Sequence, residues 1–164
     1  MYKTGQIVSY GTTGVCRISG LTERCVGGKP VQYYQLDPVH HGAATILIPT
    51  DSKPLLAKLR PVLTAAEIRA LLDALPGAPD LWVDNEQERQ HRYHEIFRGS
   101  DVTKLAQLAY SLSRQKQALT AQGRRMRQSD ETAWKEAERL LCDEFSFVLG
   151  TEPREIQPRL RANS

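Results

Sequence analysis

Residues Gly5 to Leu36 read GQIVSYGTTGVCRISGLTERCVGGKPVQYYQL, and this stretch decides the fold. Three apolar runs, Ile7–Tyr10, Val15–Leu21 and Val31–Leu36, are separated by turns rich in glycine. Gly11 to Gly14 makes one tight reversal and Gly27-Gly28 a second, since paired glycines between β-rich runs mark a hairpin. In the second run Val15, Arg17 and Ser19 alternate with Cys16, Ile18 and Gly20. That period of two sets one face inward and one outward. The spacing predicts a small antiparallel meander whose edges offer unpaired backbone to another protein.

Downstream of this core, Val31–Leu36 stops at Asp37-Pro38, and His40-His41-Gly42 reads as a loop. Thr45–Ile48 reads as a fourth strand stopped by Pro49, and Lys58–Val62 as a fifth. About 60 residues bury little core alone. An SH3-like or Tudor-like antiparallel β barrel over residues 1–60 is therefore expected, with an all-α domain over 61–164, an α+β chain.

The helical half is punctuated by caps. Thr64-Ala65-Ala66-Glu67 is a capping box, and Leu63 with Ile68 occupies the positions of a hydrophobic staple. Ile68, Leu71, Leu72 and Leu75 stripe the helix that follows, until Pro76-Gly77-Ala78-Pro79 ends it. Asp80-Leu81-Trp82-Val83 is an apolar island before the next start, which is read at Asp84 with Gln87 three residues on. That helix runs to Arg98 and Gly99, carries only Tyr93, Ile96 and Phe97 for a core, and should be well exposed. Ser100 or Asp101 caps a fourth element with Leu105, Leu108, Leu112 and Leu119 on one face and Lys104, Gln107, Ser111 and Arg114 on another. A final long helix starts near Ser129, with Asp130 and Glu131 favourably placed in its first turn. Its buried stripe is Trp134, Ala137, Leu141, Phe145 and Val148. Thr151 to Leu160 reads as a short terminal helix, with fraying after it.

With 40% hydrophobic and 25% charged residues the chain is composed like an ordinary soluble domain. It has no apolar run near the ~18 residues of a membrane span and no apolar signal core before the first strand, so cytoplasm is the expectation. Cys16, Cys25 and Cys142 show no metal-like spacing and read as reduced thiols. The net charge of +3 is uneven. Residues 101–128 hold six Lys/Arg against one Asp/Glu, namely Lys104, Arg114, Lys116, Arg124, Arg125 and Arg127 against Asp101. Such a block suggests contact with a polyanion, and a solvated helix face is the other reading.

Nothing points to catalysis. There is no Gly-rich phosphate loop and no Cys-x-x-Cys pair. His91 and His94 share a helix but sit beside Arg92 and Glu95 without a third ligand nearby in sequence, so they read as surface residues. No catalytic residue, metal or cofactor is assigned. Binding is the better class, either a regulator that touches nucleic acid or an adaptor whose helical half grips protein. A small hydrolase is a remote third.

A family resemblance adds to this. A G-Q-x-V-x-Y opening, G-V after the first turn, G-x-x-x-x-Y-Y-x-L, and then Ile48-Pro49 resemble the polymerase-interacting module of CarD/CdnL-type bacterial transcription regulators, also found in transcription-repair coupling factors. The helical half resembles the helical domain of the same regulators through WVDNEQER at 82–89, GSD at 99–101 and DETAWKEAERLL at 130–141. The resemblance implies a non-enzymatic regulator whose first domain binds the β subunit of RNA polymerase, with Arg17, Arg24 and Val26 facing it. It implies that the second domain contacts promoter DNA at the upstream edge of the melted region, largely without sequence preference, and modulates open-complex stability. Trp82 takes the place of the family's DNA-facing tryptophan, and Arg89, Arg92, Lys104, Arg114, Arg124, Arg125 and Arg127 are the candidate DNA contacts. The chain departs from relatives at two points. Acidic and amide residues, not arginines, follow Trp82 directly, and Leu47 stands at a second basic position of the polymerase face.

Overall fold

The computed structural model describes residues 2–40 and 44–162, so His41 and Gly42 of the expected loop lie outside the described residues. The chain divides into two compact units, Met1–Val62 and Leu63–Ser164.

The first unit is a five-stranded antiparallel sheet. Strands β1 (Ile7–Tyr10), β2 (Gly14–Val26), β3 (Lys29–Pro38), β4 (Ile46–Pro49) and β5 (Leu59–Pro61) are ordered β4-β3-β2-β1-β5. A 3-10 turn at Gly11–Thr13 joins β1 to β2. Gly27 and Gly28 make the two-residue turn into β3 with φ of 59° and 80°. Both angles lie where only glycine sits without strain, and turns of this hand match the twist of the strands they join.

The sheet is open. β4 and β5 are its two edges, and among the described residues no ladder joins them into the closed barrel expected from the sequence. Both are short, at four and three residues, and each ends on a proline that cannot donate to a neighbour. The short helix α1 (Lys53–Leu56), unforeseen in the sequence, lies between them in the chain and packs Leu55 and Leu56 on the core.

That core is Val8, Cys16, Ile18, Tyr34, Leu36, Ile48 and Leu59. Tyr2 covers one end: its ring meets Tyr34 edge-on at 5.9 Å and its hydroxyl donates to the Leu59 carbonyl at 3.2 Å. Val15, which alternates with Cys16, is buried as well, as is Ser9 opposite it across the β1–β2 ladder.

The second unit is helical: α2 (Ala65–Ala74), α3 (Glu86–Arg98), α4 (Val102–Ala121), α5 (Gln128–Leu149) and α6 (Pro153–Ile156), with 3-10 turns at Leu75–Gly77 and Gln157–Leu160. The capping box on α2 is complete, Glu67 N–H to Thr64 at 3.2 Å and Thr64 N–H to Glu67 at 3.0 Å. α3 starts one residue later than expected. Asn85, not Asp84, accepts the Glu88 N–H at 2.9 Å, and the Asp84 carboxylate accepts from the Trp82 indole instead. Asp101 caps α4.

Two clusters fill this unit. Ile68, Leu72, Ala106, Leu141, Phe145 and Leu160 anchor the larger, and Tyr93, Leu108, Leu112, Met126, Ala133 and Trp134 the smaller. The carboxyl-terminal segment does not fray within the described residues. Leu160 and Ala162 are buried, Ala162 N–H donates to Ser113 Oγ at 2.9 Å, and Arg161 grips Glu138 at 2.8 and 3.0 Å while lying over the Trp134 ring.

Candidate functional site

In the β unit the geometry turns on one extra residue. The β2–β3 register shifts between Ile18 and Gly20, leaving Ser19 as a bulge. Arg17 and Arg24 are seven apart and would fall on opposite faces of an unbroken strand. The bulge reverses the parity. Arg17 pairs with Asp37, Arg24 with Val31 and Val26 with Lys29, three β3 positions of one parity, while the buried Tyr34 and Leu36 have the other. Arg17, Arg24 and Val26 therefore share the face turned away from the core, and all three are exposed. Leu47 pairs with Gln35 and stands on this face too.

Beyond the bulge, residues Gly20 to Val26 of β2 are paired by β3 alone, since β1 reaches only to Arg17. β4 backs β3 only from Tyr33 to Leu36, so Glu23–Val26 and Lys29–Gln32 form a two-stranded tip that carries Arg24 and the exposed Val26 (53%) on one face. Leu21 (54% exposed) precedes the tip and points to the opposite face. Arg17 lies about 20 Å back along the strand, where β2 is paired on both sides. The tip joins cation, apolar contact and an unpaired β2 edge in one place, the combination that β-strand addition uses.

In the helical unit the focus is the loop between Ala78 and α3. The Trp82 ring is half-buried, packed at the edge of the smaller cluster. Its indole Nε1 donates to Asp84 at 3.0 Å. Arg89, one helical turn into α3, lies 4.3 Å from the ring centroid. It is 3% exposed. Its Nε and Nη2 donate to the Asp130 carboxylate at 2.9 and 3.2 Å, and its Nη1 donates to the carbonyls of Val83 and Asp84 at 3.0 and 3.1 Å. Tyr93 completes the group, its hydroxyl donating to Asp130 at 2.8 Å. Burial works against the charge on Arg89, but the bond to Asp130 and its negative charge outweigh it and hold the guanidinium above its usual range. Burial first, and then the bond to Asp130, push the Tyr93 phenol far above 10.

These contacts correct one expectation. Arg89 is not available to DNA, because a guanidinium spent on a buried carboxylate and two carbonyls has no free face to offer. Asp130 stands in the first turn of α5 as expected, but it is 1% exposed and holds Arg89. An internal partner for Arg89 was legible only as an excess of charge in a helix with few apolar residues.

The remaining cations fall into groups. Arg92 is half-buried and donates to the Leu81 carbonyl at 3.1 Å. Arg127 pairs with Glu86 at 3.0 Å and Lys116 with Glu131 at 3.5 Å. Arg114 lies over the Tyr110 ring at 5.1 Å with its own residue exposed. Lys104, Arg124 and Arg125 are exposed. The expected polar face of α4 is broken by Ser111, which is buried and accepts the Leu81 N–H at 2.9 Å. His91 pairs with Glu95 on the surface at 2.9 Å. Among the described residues no group of His, Cys, Asp and Glu could hold a metal ion, and no helix is long and apolar enough to cross a membrane.

A family model described as the CarD-like/TRCF RID domain matches residues 2–63. Residues 2–63 form a CarD-like/TRCF RID domain. The match ends one residue past the first compact unit, and the open sheet fits a Tudor-like fold. A RID domain is a protein-interaction module, not a catalytic one, and its partner is RNA polymerase. The chain is thus an RNA polymerase-interacting, transcription-related protein. No curated protein matches the chain.

Proposed function

We propose that the RID domain docks on the β subunit of RNA polymerase and that the helical unit meets promoter DNA at the upstream edge of the melted region, lengthening the life of the open complex. The observation that carries the first half is the RID match itself, with Arg24 and Val26 on one face of the two-stranded β tip. Arg17, on the same face, flanks the contact, and Leu47 makes that part of it apolar. The second half is supported by Trp82, a half-buried aromatic side chain on the loop before α3. Its only donor is taken by Asp84, so what it offers a partner is apolar ring. An apolar wedge suits a loosened base step, where unstacking costs a few kcal/mol or less. Lys104, Arg114, Arg124 and Arg125 are the phosphate contacts in this reading, with Arg92 and the paired Arg127 in lesser roles.

The test uses purified polymerase. Arg24→Glu should weaken capture of the β subunit while the thermal melt stays unchanged. Neutralising Arg124 and Arg125 together should flatten the salt dependence of DNA binding, by roughly one unit of slope for each phosphate no longer neutralised. An unchanged slope returns the cations to the solvated-face reading.

The rival is an adaptor whose helical unit grips protein. It draws on an apolar groove between α2 and α4, lined by Ala70, Leu71, Ala74 and Leu75. DNA affinity that is negligible at low salt would favour it.

A further inference from the structure

We infer that Arg89 is a positioning residue for Trp82, a clamp set by Asp130 that holds the tryptophan loop in its working shape. The inference rests on the reading of Trp82 as the residue that meets DNA.

A buried Arg–Asp pair by itself would only tie α3 to α5. The bonds of Nη1 do something else. They fix the carbonyls of Val83 and Asp84, the two residues that follow Trp82, while the guanidinium carbon lies 4.3 Å from the centre of the indole ring. Four of the five N–H groups of a guanidinium are thereby used, two toward the loop and two toward its anchor on α5. Only a planar fork can do this, and an ammonium cannot.

The rest of the loop is held from the same side. Ser111 accepts the Leu81 N–H, Arg92 holds the Leu81 carbonyl, and Asp80 accepts the Trp82 N–H at 3.0 Å. Every backbone bond named here ends on a side chain, so no regular secondary structure supports the loop. Asp130 is what keeps Arg89 at the centre of it, and Tyr93 keeps Asp130 oriented. A loop already ordered before DNA arrives loses less conformational freedom on contact, which favours a longer-lived complex without touching polymerase docking.

The experiment uses the full chain labelled with fluorotryptophan. Its two tryptophans give two fluorine resonances, assigned with Trp82→Phe. Arg89→Lys keeps a positive charge opposite Asp130 but loses the fork. The Trp82 resonance should shift and sharpen as the ring gains motion. Polymerase capture should be unchanged. Open-complex lifetime should fall to the level of Trp82→Ala, and the Arg89→Lys/Trp82→Ala double variant should fall no further. A Trp82 resonance that stays put in folded Arg89→Lys protein overturns the clamp, and so does a double variant that loses lifetime additively. If Arg89→Lys does not fold, Asp130→Asn keeps the shape and the acceptor for Tyr93 while removing the charge, and the same resonance decides. Should Trp82→Ala itself leave the lifetime unchanged, it is the DNA reading that fails, and the fluorine signal still judges the clamp.

Discussion

Arg89 and Trp82 invert the roles their residue types suggest. The arginine is interior and the tryptophan half-exposed, and the difference shows in what their removal costs. Asp130→Ala leaves the Arg89 cation buried without its partner, a loss of about 3–5 kcal/mol. Trp82→Ala gives up a cation–π contact of about 0.5–2 kcal/mol, plus part of an apolar burial. The loss should fall short of the roughly 3–5 kcal/mol of a core aromatic. Urea melts of the two variants should rank them in that order, and a reversed ranking would mean that Trp82 is the main support of the smaller cluster. The cysteines give a second residue-scale expectation. Burial, and then the charge of Asp37, push the Cys16 thiol from 9.0 to about 11; burial, with Glu138 and Asp143, pushes Cys142 to about 12. Both raised values keep the thiol form in the folded state. Their stabilisation is complete below pH 9 and is lost as pH rises through 11 and 12, because the unfolded chain ionises first. At pH 8 a thiol reagent should modify the exposed Cys25 quickly, and Cys16 and Cys142 only on unfolding.

Among the elements, α2 and the β2–β3 hairpin are built from local chemistry, whereas α3 is not. The capping box ties two of the free amides at the start of α2, so Thr64→Ala should cost about 1 kcal/mol in a denaturant melt. A loss under a few tenths of that would mean that packing of Ile68 and Leu72 alone holds the helix start. α3 has only Tyr93 and Arg89 buried along its 13 residues. Its hold on the unit runs through a polar cluster, and hydrogen exchange in α3 should quicken in Asp130→Asn more than exchange in α4, which buries eight residues. Equal acceleration in both would show the cluster to be a general stabiliser with no special tie to α3. The bulge at Ser19 is the element-scale feature with the widest effect, because it puts Arg17 and Arg24 on one face of β2.

The whole molecule is two units with separate cores, and the RID match coincides with the first. Residues 1–62 expressed alone should therefore fold and capture polymerase, and residues 63–164 should carry the salt-dependent DNA binding. Far-UV spectra and pull-downs on the two fragments check this. Polymerase capture by the helical fragment and not by the RID fragment would reverse the assignment of roles.

How much of this was legible in the sequence follows the range of the interactions. Turns and caps are decided by neighbours in the chain. Gly27-Gly28 takes a backbone that other residues resist, and Thr64 and Glu67 reach each other across one helical turn, so both could be read directly. The apolar stripe of α5 is similarly a matter of period, and Ala137, Leu141 and Phe145 are buried as their spacing predicts. Three things depended on the tertiary structure. The sheet has β4 and β5 as its two edges, with no ladder between them among the described residues, and this depends on where the intervening chain carries them. The bulge depends on the register against β3, a partner 16 residues away at Ser19 and Gln35. Arg89 and Asp130 are 41 residues apart. One of three arginines in a polar helix and one of two acids in a first turn carry no mark of burial in the sequence. Only the packing of α3 on α5 takes both out of water, and once there neither charge is tolerable without the other.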